Sequence, residues 1–176
     1  AYEIYQCDWS SDVCSSDLGD KGIFGYGTSS NEATLYSLTN KVSNAGVVAT
    51  DTTGVGSARK ALAAAGYGGD KAIFGYGSFT SITNLVSNLG VVATDTTGVG
   101  TARAELSACG YGENKAIFAF GVTSGGSVSN ITNLVSNTGV VATDNSGIGS
   151  SRVQAAAASY GGNKAIFGYG NRKSTR

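Results

Sequence analysis

The chain has 176 residues, of which 41% are hydrophobic and 14% charged, and its 12 basic and 12 acidic side chains give a formal net charge of zero. This balance argues against nucleic acid or an anionic membrane as a partner, and no run approaches the roughly 18 apolar residues of a membrane-spanning helix. The sequence contains no histidine, which excludes Ser-His-Asp and Cys-His catalysis and His-ligated metal sites within it.

The two ends of the chain resemble a translated sequencing-library adapter, whereas the middle does not. Residues 8–18 and 1–4 back-translate to the DNA of a sequencing-library adapter, and residues 172–176 fit the complementary strand of the same adapter. We therefore expect 1–18 and 171–176 to be adapter-derived, and we take the fold from 19–170. That segment has nine basic and eight acidic residues, and Cys109 is its single cysteine, so it predicts no intrachain disulfide and leaves the compartment undetermined.

A short β-prone run that begins with lysine recurs four times in the middle segment. The copies start at Lys21, Lys71, Lys115 and Lys164, at steps of 50, 44 and 49 residues. Each copy follows a turn signal and ends in a small residue, an aromatic residue and a glycine. Self-similarity at this period indicates a structural repeat.

The remainder of each repeat predicts further short β-segments. After Asn84 come Leu-Val-Ser-Asn and then Gly-Val-Val-Ala-Thr-Asp, both matched in the neighbouring repeats. Strand alternation would place Ala72, Phe74 and Tyr76 on one face and Ile73, Gly75 and Gly77 on the other. The bare glycines on that second face would let a neighbouring sheet approach closely.

An alanine-rich segment completes each repeat, at 61–65, 104–109 and 153–158. Alanine followed by glycine is typical of a capped helix. We favour a strand, because the segment is shorter than the about 12–15 residues that an isolated helix needs in water. Small side chains also suit a strand beside a crowded axis.

Variation in length is confined to one connection of the repeat. The spacing from Asn40, Asn84 or Asn133 to the next repeat lysine is always 31 residues, whereas the spacing from lysine to asparagine is 19, 13 or 18. The variable segments are therefore 28–37, 78–81 and 122–129, and variable insertions in repeat arrays often form a binding face. Candidate binding residues in these segments are small polar residues and one aromatic: Ser29, Ser30, Asn31, Phe79, Thr80, Thr123, Ser124 and Ser127. Ordinary solvated turns are the alternative interpretation.

Arg103, small apolar residues and then Gly-Glu-Asn-Lys-Ala-Ile-Phe-Ala-Phe-Gly together resemble a kelch-type β-propeller repeat, whose period is also near 50. Glycine-rich propellers of the regulator-of-chromosome-condensation type are the alternative family. The resemblance implies an all-β, partial and open β-propeller over 19–170, with two complete four-stranded blades (57–95 and 101–144) and two incomplete ones. It also implies that missing blades of the same propeller would cover the ends.

Several individual residues admit both a structural and a functional interpretation. Asp51, Asp95 and Asp144 each lie eight residues before an arginine, and we expect a structural Asp–Arg bridge or Asx turn rather than a ligand site. Cys109 takes the place of Ala65 and predicts a buried core position. The Asp-Thr-Thr-Gly loop lacks the alternating carboxylates of a calcium site, and Asn130-Ile131-Thr132 matches a glycosylation sequon.

These features predict a non-catalytic binding or structural module, without cofactor or metal, whose variable loops contact a protein or a glycan. Similar glycine-rich repeats suggest a cell surface or a phage structure as its setting. The alternative is part of a kelch-like propeller enzyme of the oxidase type, whose active site would lie in blades outside this sequence. The sequence identifies no individual ligand.

Overall fold

The computed structural model of the chain describes residues 14–17, 21–147 and 149–171. All regular elements in these residues are β-strands, arranged in four small antiparallel sheets that follow one another along the chain. The predicted all-β class is confirmed. The described residues include no helix long and apolar enough to cross a membrane.

The four sheets repeat one strand pattern. The first contains β1 (Cys14–Asp17), β2 (Gly22–Thr28) and β3 (Leu35–Val42); the second contains β4 (Ala63–Tyr67), β5 (Lys71–Gly75) and β6 (Thr83–Val86). The third contains β7 (Ser107–Tyr111), β8 (Lys115–Ala119) and β9 (Thr132–Val135), and the fourth contains β10 (Ala156–Tyr160) and β11 (Lys164–Gly168). In each three-stranded sheet the middle strand begins at or next to the repeat lysine.

The fourth predicted strand of each repeat is a loosely paired segment. In the second sheet it contacts β6 at two isolated bridges, Thr83 with Thr96 and Val86 with Val92. Between these two bridges β6 advances by three residues and the facing segment by four. The extra residue defines a β-bulge, which interrupts the ladder of hydrogen bonds. The first and third sheets show the same slip. The expected four-stranded sheets are therefore three regular strands plus one bulged segment.

The alanine-rich segments form strands, as expected. β4 pairs with β5 from Ala63 opposite Gly75 to Tyr67 opposite Lys71. These inner strands also pack on one another between sheets, β4 on β7 and β7 on β10. Ala63, Ala64 and Ala65 are all nearly fully buried. Small side chains allow this close packing, and sheet pairing overrides the local helix preference of alanine.

The hydrophobic core lies between consecutive sheets. Phe74 packs edge-on against Tyr26 of the preceding sheet, with ring centroids 5.2 Å apart, and Phe118 packs in the same way against Tyr76. A Cβ added at Gly75 would lie 2.6 Å from Phe118 Cζ. The expectation that glycine permits close approach of a neighbouring sheet is therefore confirmed at this position.

The predicted position of Tyr76 is wrong. Ala72 and Phe74 face the first sheet, but Tyr76 joins Ile73 in the core facing the third sheet. The reason is that β5 ends at Gly75 and Tyr76 has a left-handed φ of 62°, which breaks the strand alternation. The aromatic residue at this point of every repeat has a φ between 60° and 69°.

The adapter-like segments fall mostly outside the described residues. Within 1–18, residues 14–17 form β1, which pairs with β2 in the place that an alanine strand occupies in the other sheets. Within 171–176, only Asn171 is described, and it forms a bridge with Val153. The origin of both segments stays a prediction.

Candidate binding surface

The three variable connections link the second and third strands of successive sheets, so they lie at the same end of the stack. The first connects β2 to β3, the second β5 to β6, and the third β8 to β9. The turns between third strands and bulged segments lie at the opposite end. There, Asn88 Nδ2 donates to Asp70 Oδ2 at 3.1 Å and joins two turns of the second sheet.

Each variable loop is held at two residues near its ends, which we call its feet, by hydrogen bonds to the backbone of an arginine in the following repeat. Around Arg103, the N–H of Gly77 donates to its carbonyl at 3.0 Å, and its own N–H donates to the carbonyl of Thr80 at 3.3 Å. Arg59 makes the equivalent pair of bonds to Gly27 and Tyr36. Arg152 does so with Gly121 and Ser129. The residues between these feet are 28–35, 78–79 and 122–128, and they account for the differences in length.

Neighbouring loops are connected directly. Lys60 forms an ion pair with Glu32 of the first loop. Its backbone N–H also donates to Ser78 Oγ of the second loop, at 3.0 Å. Farther along the surface, Thr80 forms a bridge with Arg103, and Ala104 forms one with Val122 of the third loop. The three loops therefore form one surface, which we call the loop face (28–37, 78–81 and 122–129).

The predicted binding residues on this face shape their own loops, are exposed to solvent, or do both. Within the loops, Ser29 Oγ donates to Asn31 Oδ1 at 2.6 Å, Thr80 Oγ1 donates to the carbonyl of Gly77, and the N–H of Thr123 donates to the carbonyl of Ser127. Phe79 is 46% exposed, and the exposed polar residues are Ser30, Asn31, Ser124 and Ser127.

Sequence reasoning missed the charged pair Lys60 and Glu32 on the loop face. Glu32 lies inside a variable segment, but the sequence offers no sign that Lys60, 28 residues later, reaches it. Pairing with Lys60, through its hydrogen bond and its charge, lowers the pKa of Glu32 below the ordinary value.

Phe79 lies in a tight two-residue turn and has a left-handed φ of 55°.

Beneath the loop face lies a cluster of one arginine, one asparagine and one aspartate, which we call the Arg–Asn–Asp cluster. In the second sheet, Arg59 Nη2 donates to Asn84 Oδ1 at 2.7 Å, and Asn84 Nδ2 donates to Asp95 Oδ1 at 2.9 Å. Arg59 Nη1 lies 3.6 Å from Asp95 Oδ1. In the third sheet the cluster is Arg103, Asn133 and Asp144, with an ion-pair distance of 3.8 Å.

The expected Asp–Arg bridge is thus confirmed, but its partner differs from the one that the spacing suggests. Asp95 pairs with Arg59, which precedes its sheet, and not with Arg103 eight residues later. The segment just before the inner strand and the bulged segment of the same sheet bring these two residues together. Sequence proximity misleads here because Arg103 belongs to the next sheet.

The arginine and the asparagine of each cluster are buried, whereas the aspartate lies at the surface. Arg59 and Arg103 are 1% and 0% exposed, and burial lowers the pKa of both guanidinium groups. Partial burial disfavours ionised Asp95, but hydrogen bonds from Ser57 and Asn84 and the charge of Arg59 outweigh it, so the pKa of this carboxyl is lowered. Each arginine also lies over an aromatic ring, Arg103 4.9 Å from the ring centroid of Tyr76. Burial raises the pKa of Tyr76 to about 12.

The other candidate functional residues named from the sequence make contacts within the fold. Ser57 and Asn84 donate hydrogen bonds to the Asp95 carboxylate, so its oxygens are engaged within the fold. Asn130 of the sequon donates its side-chain amide to the carbonyls of Gly147 and Gly149. Cys109 is buried in β7, as expected. No group of three or more His, Cys, Asp or Glu in the described part of the chain is arranged to hold a metal ion.

The comparisons with known proteins concern the fold. No protein-family model matches the chain, and no curated protein matches it. A solved structure described as "Structure of YjhT" is similar, with a TM-score of 0.59 and 14% sequence identity. The match covers 76% of this chain and 44% of that one, so the chain spans less than half of that structure. The similarity supports a shared arrangement of small β-sheets.

Proposed function

We propose that the chain is a non-catalytic binding module with kelch-type β-propeller architecture, in which each sheet is one blade. The loop face contacts a protein or a glycan, with the module set on a cell surface or a phage structure. One observation carries the proposal: all of the length variation among the repeats lies at one end of the stack, between feet held by the same backbone bonds. A scaffold that is constant everywhere else leaves this end available for recognition.

The chemistry of the loop face suits such partners. Phe79 offers an exposed ring, and the same face carries the exposed hydroxyls of Ser30, Ser124 and Ser127. Aromatic rings with small polar neighbours provide contact area at low entropic cost together with adaptable hydrogen bonding. The neighbouring Lys60–Glu32 pair adds charge of both signs without a strong net field.

The test uses two probe sets, an array of defined oligosaccharides and a displayed library of random peptides, with the full chain as the bait. We expect reproducible binders that lose affinity when Phe79→Ala and Ser124→Ala are introduced together. Leu89→Ala is the matched control, because Leu89 is 75% exposed and lies in a turn at the opposite end. It should leave binding unchanged.

The proposal fails if binders respond to Leu89→Ala and ignore the loop-face variant. It also fails if neither probe set yields a binder above the signal of a heat-unfolded sample. Circular dichroism of each variant establishes that the fold is retained.

A further inference from the structure

A single type of contact joins consecutive sheets three times within the chain. The aromatic residue five positions after the repeat lysine of one sheet contacts a phenylalanine of the next sheet: Tyr26 with Phe74, Tyr76 with Phe118, and Phe120 with Phe167, at ring-centroid distances of 5.2, 5.2 and 5.6 Å. We call the face that a sheet presents to the following sheet its trailing face, and the opposite one its leading face. Each internal contact joins a trailing face to a leading face.

No described residue covers the trailing face of the fourth sheet. Tyr169 is 90% exposed, whereas Tyr76 at the same repeat position is 0% exposed. Ile166 is 56% exposed, against 0% for its counterpart Ile73. Tyr160 likewise is 52% exposed where Tyr67 is 4%. The residue types that form the core elsewhere thus lie on the surface here.

The leading face of the first sheet is also exposed, and it is the kind of face that a trailing face contacts elsewhere in the chain. Val48 is 58% exposed, whereas Val92 at the equivalent bridge position is 9% exposed. Phe24 is half-buried, whereas Phe74 and Phe118 in the same place are fully buried. The chain therefore carries both halves of an interface that it forms three times internally.

We infer that the trailing face of the fourth sheet binds the leading face of the first sheet in a second copy of the chain. Tyr169 of one copy would then contact Phe24 of the other, continuing the series of aromatic pairs. Such an interface is head-to-tail, so it either closes into a ring or extends as an open array. The inference concerns the ends of the stack and is independent of what the loop face binds.

Two single-face variants test this directly. Ile166→Glu places a charge on the trailing face, and Val48→Glu places one on the leading face; both positions are exposed, so each variant should fold. By analytical ultracentrifugation, the wild-type chain should gain mass with concentration and each variant should lose this association. An equimolar mixture of the two should recover a species of two chains, because one intact face of each kind remains. Leu89→Glu, on an exposed turn, should associate as the wild type does.

Three results would overturn the inference. A wild-type chain that stays monomeric over the whole concentration range would mean that another protein or a further repeat covers these faces. Loss of association with Ile166→Glu but not with Val48→Glu would mean that two trailing faces meet each other. Failure of the mixed variants to form the two-chain species would exclude the head-to-tail arrangement.

Discussion

Gly75 offers a sharp test of how the sheets are stacked. A Cβ at this position would lie 2.6 Å from Phe118 Cζ and 3.0 Å from Phe118 Cε1. The first distance is shorter than real Cβ atoms show, and the second is tighter than most real Cβ contacts. The backbone of Gly75 is not left-handed, so Gly75→Ala adds a steric conflict without backbone strain. The variant should therefore be destabilised by the contact between sheets alone.

The third sheet indicates how large the penalty is. It has Ala119 at the equivalent position, and its ring pair to the fourth sheet is 0.4 Å wider than the other two (5.6 against 5.2 Å). The stack can thus yield by a few tenths of an ångström. Overpacking of a core costs about 1–3 kcal/mol, and we expect about 1–2 kcal/mol for Gly75→Ala, because partial relaxation is possible.

Gly168→Ala is the matched control, since Gly168 holds the same repeat position and a Cβ added there would lie more than 4 Å from the non-adjacent residues in the described part of the chain. Both substitutions restrict the unfolded chain by the same amount, so their difference in free energy of unfolding isolates the contact with Phe118. Urea denaturation below the concentration at which chains associate provides the measurement. Equal stability of the two variants would refute the stacking of Phe118 on Gly75. A Phe118→Leu background should shrink the difference.

Three further perturbations follow from the Arg–Asn–Asp cluster and the loop feet. Arg103→Ala removes the 2.6 Å hydrogen bond to Asn133 and the contact with the Tyr76 ring, and it should lower the free energy of unfolding by about 2–4 kcal/mol. Arg152 is half-buried and lies 5.5 Å from the ring centroid of Phe120, so Arg152→Ala should lower it by less than half as much. An unchanged urea midpoint for Arg103→Ala would contradict a stabilising role for the Arg–Asn–Asp cluster. The pKa of Asp144 is lowered from 3.8 in the folded state, so its stabilisation is present above that pH and is lost as the pH falls through the folded value. Asp144→Asn should therefore differ from wild type at pH 7 and converge with it in acid, and a constant gap in unfolding free energy would disprove this. Replacing 78–79 by the sequence of 28–35 lengthens the loop about fourfold, which costs about 1.2 kcal/mol in closure entropy; a graft that unfolds the chain, as seen by circular dichroism, would show that the feet are not independent of the loop.

The sequence alone predicts most of the strand pattern, because the relevant signals are local and repeated. The lysine-led runs and the Leu-Val segments have β-prone residues bounded by turn signals, and the structure forms strands there. The spacing from Asn84 to Lys115 is identical in three repeats, which isolates the variable connections without coordinates. Even the alanine strand follows once its length is weighed against helix stability.

The errors arise where a single residue or a distant partner decides the geometry. Nothing local distinguishes Tyr76 from a further strand residue, yet its φ is left-handed, its ring is buried, and its carbonyl accepts a hydrogen bond from Arg59 Nε, 17 residues earlier in the chain. The pairing of Asp95 with Arg59 depends on which sheet each residue enters, and spacing along the chain does not report that. At the bulge opposite β6, Asn84 Nδ2 donates to the carbonyl of Ala93, nine residues later, and the sequence gives no local sign of this contact.

The arginines explain how variable loops and a constant stack coexist in this chain. The side chain of Arg103 is fixed inside the third sheet by Asn133, while its backbone holds Gly77 and Thr80 at the feet of the second loop. The residues between those feet contribute little to this attachment, so their number can change from two to eight without moving either foot. The loops are attached through the backbone of buried or half-buried arginines, and sequence change in the loops is thereby separated from the packing of the sheets. This separation is the physical condition that a surface needs if it is to change its partner while the fold is retained.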